Sequence, residues 1–162
     1  MNILARILLL TLFGAAPLIA QGVRLGESYP DVYSRLRAGS YREVRPQTAN
    51  GQKEIATRRQ ETVSGRQVDI DEFFTFTADN RLKMIESHYF CKDQAWLDGF
   101  LQERHSKFTS QWGDPTFEPG ENYYWWASSA DGDVTMLAAR TRPEDRAKYV
   151  SVVYTRQNLL QK

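Results

Sequence analysis

Four consecutive aromatic residues, Tyr123-Tyr124-Trp125-Trp126, carry the densest recognition chemistry in this 162-residue chain. On a strand, side chains alternate, so Tyr123 and Trp125 face one way and Tyr124 and Trp126 the other. One pair can fill a core while the other meets solvent or an end helix; the alternative is that helices cover one pair and a loop the other. A Tyr–Trp pair at a surface combines rigid apolar faces with polar tips, and so anchors protein partners or sugar rings. These four are the candidate binding residues.

Nucleophilic chemistry is sparse. The chain has one cysteine, Cys91, and two histidines, His88 and His105. A thiol hydrolase needs a base within hydrogen-bond reach of the sulfur and a third group to orient that base. His88 falls near a strand end and His105 on a helix, but no local signature surrounds Cys91. The competing role for Cys91 is a small buried apolar residue. Asp69, Asp71 and Glu72 form an acidic cluster, with Asp69 and Asp71 on one strand face. A calcium loop would alternate Asp or Asn around a central Gly and end in Glu, which this segment does not, so a solvated strand face is expected. Two His and one Cys lack the fourth ligand of a structural zinc site. Phosphate-binding glycine loops, Gly-x-Ser-x-Gly and His-Glu-x-x-His are absent from the sequence. No catalytic residue, metal or cofactor is assigned.

The positioning elements lie behind an apparent leader. Arg6, the apolar run Ile7–Phe13, and Leu18-Ile19-Ala20 follow the order of a secretory signal peptide. The apolar run is shorter than the about 20 residues of a spanning helix, and Pro17 interrupts it. Cleavage after Ala20 is therefore expected, leaving residues 21–162 as one domain in the periplasm or medium. No Cys sits near the cut, so no lipid anchor is expected. Loss of Arg6 brings the net charge of +1 to zero, and the charges are evenly spread. Nucleic acid, which rewards phosphate neutralisation, is not expected as a partner, and neither is an anionic membrane surface.

Two segments carry helix punctuation. Ser28 caps the first, with Asp31 three residues on; Tyr29, Val32, Tyr33 and Leu36 share a face, and Gly39 follows. The second runs from Gln94 to Trp112 behind the cap Asp93. Leu97, Phe100, Leu101, Phe108 and Trp112 form its apolar stripe, and Gly113-Asp114-Pro115 stops it. Elsewhere the period is two. Strands are expected over Gln67–Thr77, Arg81–Phe90, Asn122–Ala127, Asp133–Arg140 and Tyr149–Thr155, with weaker ones over Tyr41–Arg45 and Lys53–Arg59 around a turn at Thr48–Gly51. A second turn falls at Ser128–Gly132. The order is helix, several strands, helix, three strands. It predicts an α+β fold of two layers, an antiparallel sheet with two main helices on one face, and raises two similar halves of about 21–90 and 91–162. The second face of the sheet is then solvated or a binding surface.

The run Val23-Arg24-Leu25-Gly26-Glu27-Ser28-Tyr29-Pro30-Asp31-Val32, with Leu36, resembles the opening of SmpA/OmlA-type envelope domains. The doubled helix-then-strands order resembles the tandem arrangement of beta-lactamase-inhibitor-protein-like folds. The resemblance implies protein binding in the envelope. The chain departs from the outer-membrane lipoproteins of that group in lacking the lipidated Cys, and its first helix ends in Ala-Gly-Ser rather than Gly-x-Pro. The expectation is a secreted or periplasmic non-catalytic domain that contacts another envelope protein. The alternatives are a small-ligand or glycan binder using the aromatic strand, and a hydrolase using Cys91 with His88 or His105.

Overall fold

The computed structural model describes residues 22–120, 122–127 and 132–156. The expected leader and most of the Ser128–Gly132 turn lie outside these residues. The described chain forms helix α1 (Tyr29–Ala38), strands β1 (Glu43–Ala49), β2 (Gln52–Val63), β3 (Arg66–Phe76) and β4 (Leu82–Phe90), helix α2 (Gln94–Trp112), and strands β5 (Phe117–Gly120), β6 (Tyr123–Ala127), β7 (Asp133–Thr141) and β8 (Lys148–Arg156). All adjacent strands pair antiparallel, in the order β1-β2-β3-β4-β8-β7-β6-β5. Each half is thus a helix followed by a four-strand meander, and the halves join through their last strands.

Local chemistry explains the punctuation. The Ser28 hydroxyl accepts the Asp31 backbone N–H at 3.4 Å and donates to the Asp31 carboxylate at 2.5 Å, and Pro30 occupies the first turn, where its missing N–H leaves nothing unpaired. Gly39 ends α1 in an extended conformation, not a left-handed one. Asp93 caps α2 by accepting the Trp96 N–H at 3.1 Å, and Gly113 ends it at φ 84°. Asn50 and Gly51 both take positive φ in the β1–β2 hairpin, as a two-residue turn matched to strand twist requires.

Three expectations need correction. The weak strands expected at 41–45 and 53–59 run to Glu43–Ala49 and Gln52–Val63. They continue past the apolar residues because side-chain pairs such as Arg58–Asp71 and Gln60–Asp69 bind neighbouring strands where packing does not. Four strands, not three, follow α2. β5, with Pro119 inside it, has no alternation to reveal it and lies at the sheet edge, where a proline costs no ladder bond. Trp112 is not part of the buried stripe; it is the one large hydrophobic classed as exposed among the described residues, resting on Phe108 at the helix end.

Both helices lie on one face. Val32 and Leu36 of α1 pack on Ile55, Phe74, Phe76, Leu82 and Ile85. Leu97, Phe100, Leu101 and Phe108 of α2 pack on Trp126, Leu137, Val150 and Val152. The register row Ile55–Phe74–Ile85–Tyr154–Thr135–Trp126 places both clusters on the same side of the sheet. Each fully buried Leu, Val or Phe contributes about 1.5–3 kcal/mol, so these clusters hold the layers together.

Between the two clusters runs a polar seam. The next row across this face is Thr57–Glu72–Ser87–Val152. Glu72 is 1% exposed. Its carboxylate accepts bonds from Arg59 Nε at 3.2 Å and Nη2 at 3.4 Å, and from the Ser87 hydroxyl at 3.3 Å. Arg59 also pairs with Glu61. Burial, and then the facing Glu72 carboxylate, push the Tyr41 phenol above its ordinary range.

Candidate functional site

Among the described residues no helix covers the opposite face of the sheet, and strand register aligns its side chains in rows. One row reads Glu43–Arg58–Asp71–His88–Ser151–Ala138–Tyr123. The next reads Arg45–Ala56–Phe73–Glu86–Val153–Met136–Trp125. On the other side of the first lies Asp69–Phe90–Tyr149–Arg140. Charge concentrates on the β1–β3 side of this face and aromatic rings on the β4–β8 side.

The four aromatic candidates divide by parity. Trp126 is 3% exposed in the core under α2. Its ring meets Phe108 at 5.4 Å, and its indole N–H donates to the Gly113 carbonyl at 3.0 Å. Tyr124 packs against the same core, and His105 of α2 lies over both rings, at 4.4 Å and 5.6 Å. Tyr123 and Trp125 lie on the open face, half-buried, with their rings 6.3 Å apart. The outward pair is thus Tyr123 and Trp125.

Cys91 and the histidines are not assembled into a site. Cys91 is half-buried against the α2 core, and among the described residues no hydrogen bond joins it to either histidine. His105 serves the core. His88 is on the open face, its ring among those of Tyr149 (4.5 Å), Phe73 (5.0 Å) and Phe90 (6.3 Å). The acidic cluster also separates. Asp69 and Asp71 face outward, Asp69 bonded to Gln60 and Asp71 to Arg58 through two contacts of 2.7 and 2.9 Å, while Glu72 points inward to the seam. Among the described residues no cluster of His, Cys, Asp and Glu is placed to hold a metal ion.

Residue types alone do not reveal the network at the centre of the open face. His88 Nε2 lies 2.7 Å from Glu86 Oε1, and the Ser151 hydroxyl donates to the same oxygen at 3.1 Å. Burial pushes the Glu86 carboxyl up, but the bonds from His88 and Ser151, with the fields of His88 and Arg140, hold it below the ordinary glutamate range. The carboxylate stands between hydroxyl and imidazole, so the imidazole cannot take the serine proton as a hydrolytic triad demands. Ser151 is also 1% exposed. The network ties β4 to β8 at the centre of the open face. The alternation Met84-Glu86-His88-Phe90 was legible as one strand face; the partners from β8 and β7 required the register.

Toward the β7 edge of this network, Arg140 places its guanidinium carbon 5.5 Å from the centre of the Tyr123 ring and Nη2 3.4 Å from the Tyr123 hydroxyl. Arg142 lies over Phe90 at 4.5 Å and pairs with Asp145. Burial raises the Tyr149 phenol, opposed by the Arg140 cation.

Fold and face together define a two-layer α+β domain whose sheet presents one uncovered side among the described residues. No family model, curated protein sequence or solved structure matches the chain. Among the described residues no helix is long and apolar enough to cross a membrane.

Proposed function

We propose that this chain is an exported, non-catalytic binding domain and that its open sheet face contacts another envelope or secreted protein. The carrying observation is the group of half-buried aromatics on that face, Phe73, Phe90, Tyr149, Tyr123 and Trp125, over which no helix lies among the described residues. Such rings lose water on contact and contribute much of the binding energy of protein interfaces. The ordered ion pairs around them suit a polar rim. A relation to SmpA/OmlA-type and beta-lactamase-inhibitor-protein-like domains forms part of this proposal and leans on the doubled order of helix and four strands.

The test is photo-cross-linking in the cell envelope and medium from a probe at Met136, between Trp125 and Val153 in the same row. A cross-linked partner lost in the Tyr123→Ala/Trp125→Ala double variant, with the unfolding midpoint unchanged, supports the reading. Capture indifferent to that double variant overturns it. The mass of the recovered chain tests export: loss of residues 1–20 is expected, and an intact leader overturns it. The glycan or small-ligand reading rests on the shared outward direction of Tyr123 and Trp125; saturable quenching of Trp fluorescence by neutral sugars, lost in Trp125→Phe, would favour it.

A further inference from the structure

We propose that Arg140 anchors a carboxylate subsite, so that the partner docking on the open face presents an acidic side chain to it. This rests on the reading of that face as a docking surface.

Arg140 is exposed and projects from β7 opposite Tyr149. Its contacts with the ring and hydroxyl of Tyr123 orient the guanidinium without involving a carboxylate. Among the described residues it belongs to no ion pair. The other arginines at this face are matched, Arg45 with Glu43, Arg58 with Asp71 and Arg142 with Asp145. Glu86, within the Arg140 field, already receives His88 and Ser151. Arg140 is therefore the arginine of this face that has no carboxylate partner among the described residues.

Its chemistry selects the ligand group. A guanidinium is a planar fork of donors that fits a carboxylate through two parallel bonds. Tyr123 gives the fork an aromatic wall, Tyr149 stands opposite it on β8, and a contact that buries them excludes water and strengthens the pair. A lone cation in a chain of net charge +1 does not suit a phosphate polymer.

The experiment uses the full exported chain and defined probes: an acetylated, amidated glutamate tetrapeptide, its glutamine counterpart, and galacturonic acid. Binding is read from the NMR shifts of the Arg140 Nε–H and the Trp125 indole N–H. Saturable shifts with the glutamate peptide, absent with the glutamine peptide and about tenfold weaker in Arg140→Gln, support the proposal, since the substitution removes a charge-assisted hydrogen bond. Arg37→Gln, the same loss of charge on exposed α1 surface, should bind as wild type. No shift with the glutamate peptide overturns the proposal, as does equal weakening by Arg37→Gln. Tighter binding of galacturonic acid than of the peptide overturns the commitment to a protein partner. If the Met136 cross-link persists in Arg140→Gln and in high salt but is lost in Tyr123→Ala/Trp125→Ala, the docking face stands and the acidic anchor fails. If the cross-link survives all three substitutions, the docking reading itself fails.

Discussion

Arg59 and Glu72 meet in the seam between the two cores, guanidinium to carboxylate at 3.2 and 3.4 Å, with side chains 15% and 2% exposed. Removing Arg59 would strand a buried carboxylate whose remaining bond is from Ser87. Arg59→Ala should cost about 3–5 kcal/mol in urea unfolding, whereas replacing the pair together by Met and Leu should cost far less. Equal losses for the single and double variants would show that the seam is not electrostatically coupled.

The parity of the aromatic strand sets two opposite outcomes. Trp126→Ala removes a core ring and its bond to Gly113, and should cost about 3–5 kcal/mol. Tyr123→Ala, on the open face, should stay within about 1 kcal/mol. Denaturant midpoints of the two variants, compared at constant m-value, decide the matter.

Glu86 makes the domain acid-sensitive at the centre of its open face. Its folded carboxyl lies below the ordinary value of 4.5, so the unfolded chain binds the proton first. The stability this contributes is complete above the unfolded value and disappears as pH falls through the folded one. Glu86→Gln should flatten the stability profile below pH 4.5 relative to wild type. An unchanged acid limb would place the sensitivity elsewhere.

Two glycines of the α2 region should respond in opposite directions. An added Cβ meets nothing within 4 Å at either Gly99 or Gly113, so only the backbone decides. Gly113 sits at φ 84° and ψ −167°, a region essentially confined to glycine, and Gly113→Ala should cost about 1–3 kcal/mol. Gly99 lies inside α2, where Gly99→Ala should gain about 0.5–1 kcal/mol. Thermal unfolding of both variants measures the contrast.

The helices and the two-layer arrangement were legible because their signals are local. Ser28 and Asp93 cap, Gly113 stops, and the apolar spacing of Leu97, Phe100, Leu101 and Phe108 names the buried face of α2. The seam was not legible. Glu72 follows Asp71 directly and stands three positions from Asp69 in an acidic run, and only the pleat sends it inward to Arg59 while they face out. The far ends of β1 and β2 were shortened in the reading because polar side-chain bonds such as Gln47–Glu54 and Gln60–Asp69, not apolar alternation, hold them. The open face could be foreseen as an uncovered surface, but the meeting of His88 with Ser151, or Arg140 with Tyr149, depends on pairing between strands far apart in the chain.

That distant pairing governs how the molecule is made. The ladders inside each half close over short hairpins, but β4 must wait for β8, the last strand described. The Thr155 hydroxyl bonds the Lys83 carbonyl across 72 residues, and Ser151 reaches Glu86 across 65. Contacts of such separation incur their loop-closure entropy before they return any stability, and so form late. Until then a half-finished chain displays β4 as a raw sheet edge, open to the wrong strand. A chain made from its N-terminus completes the first meander before β8 arrives, and through that interval β4 is the edge most open to mispairing.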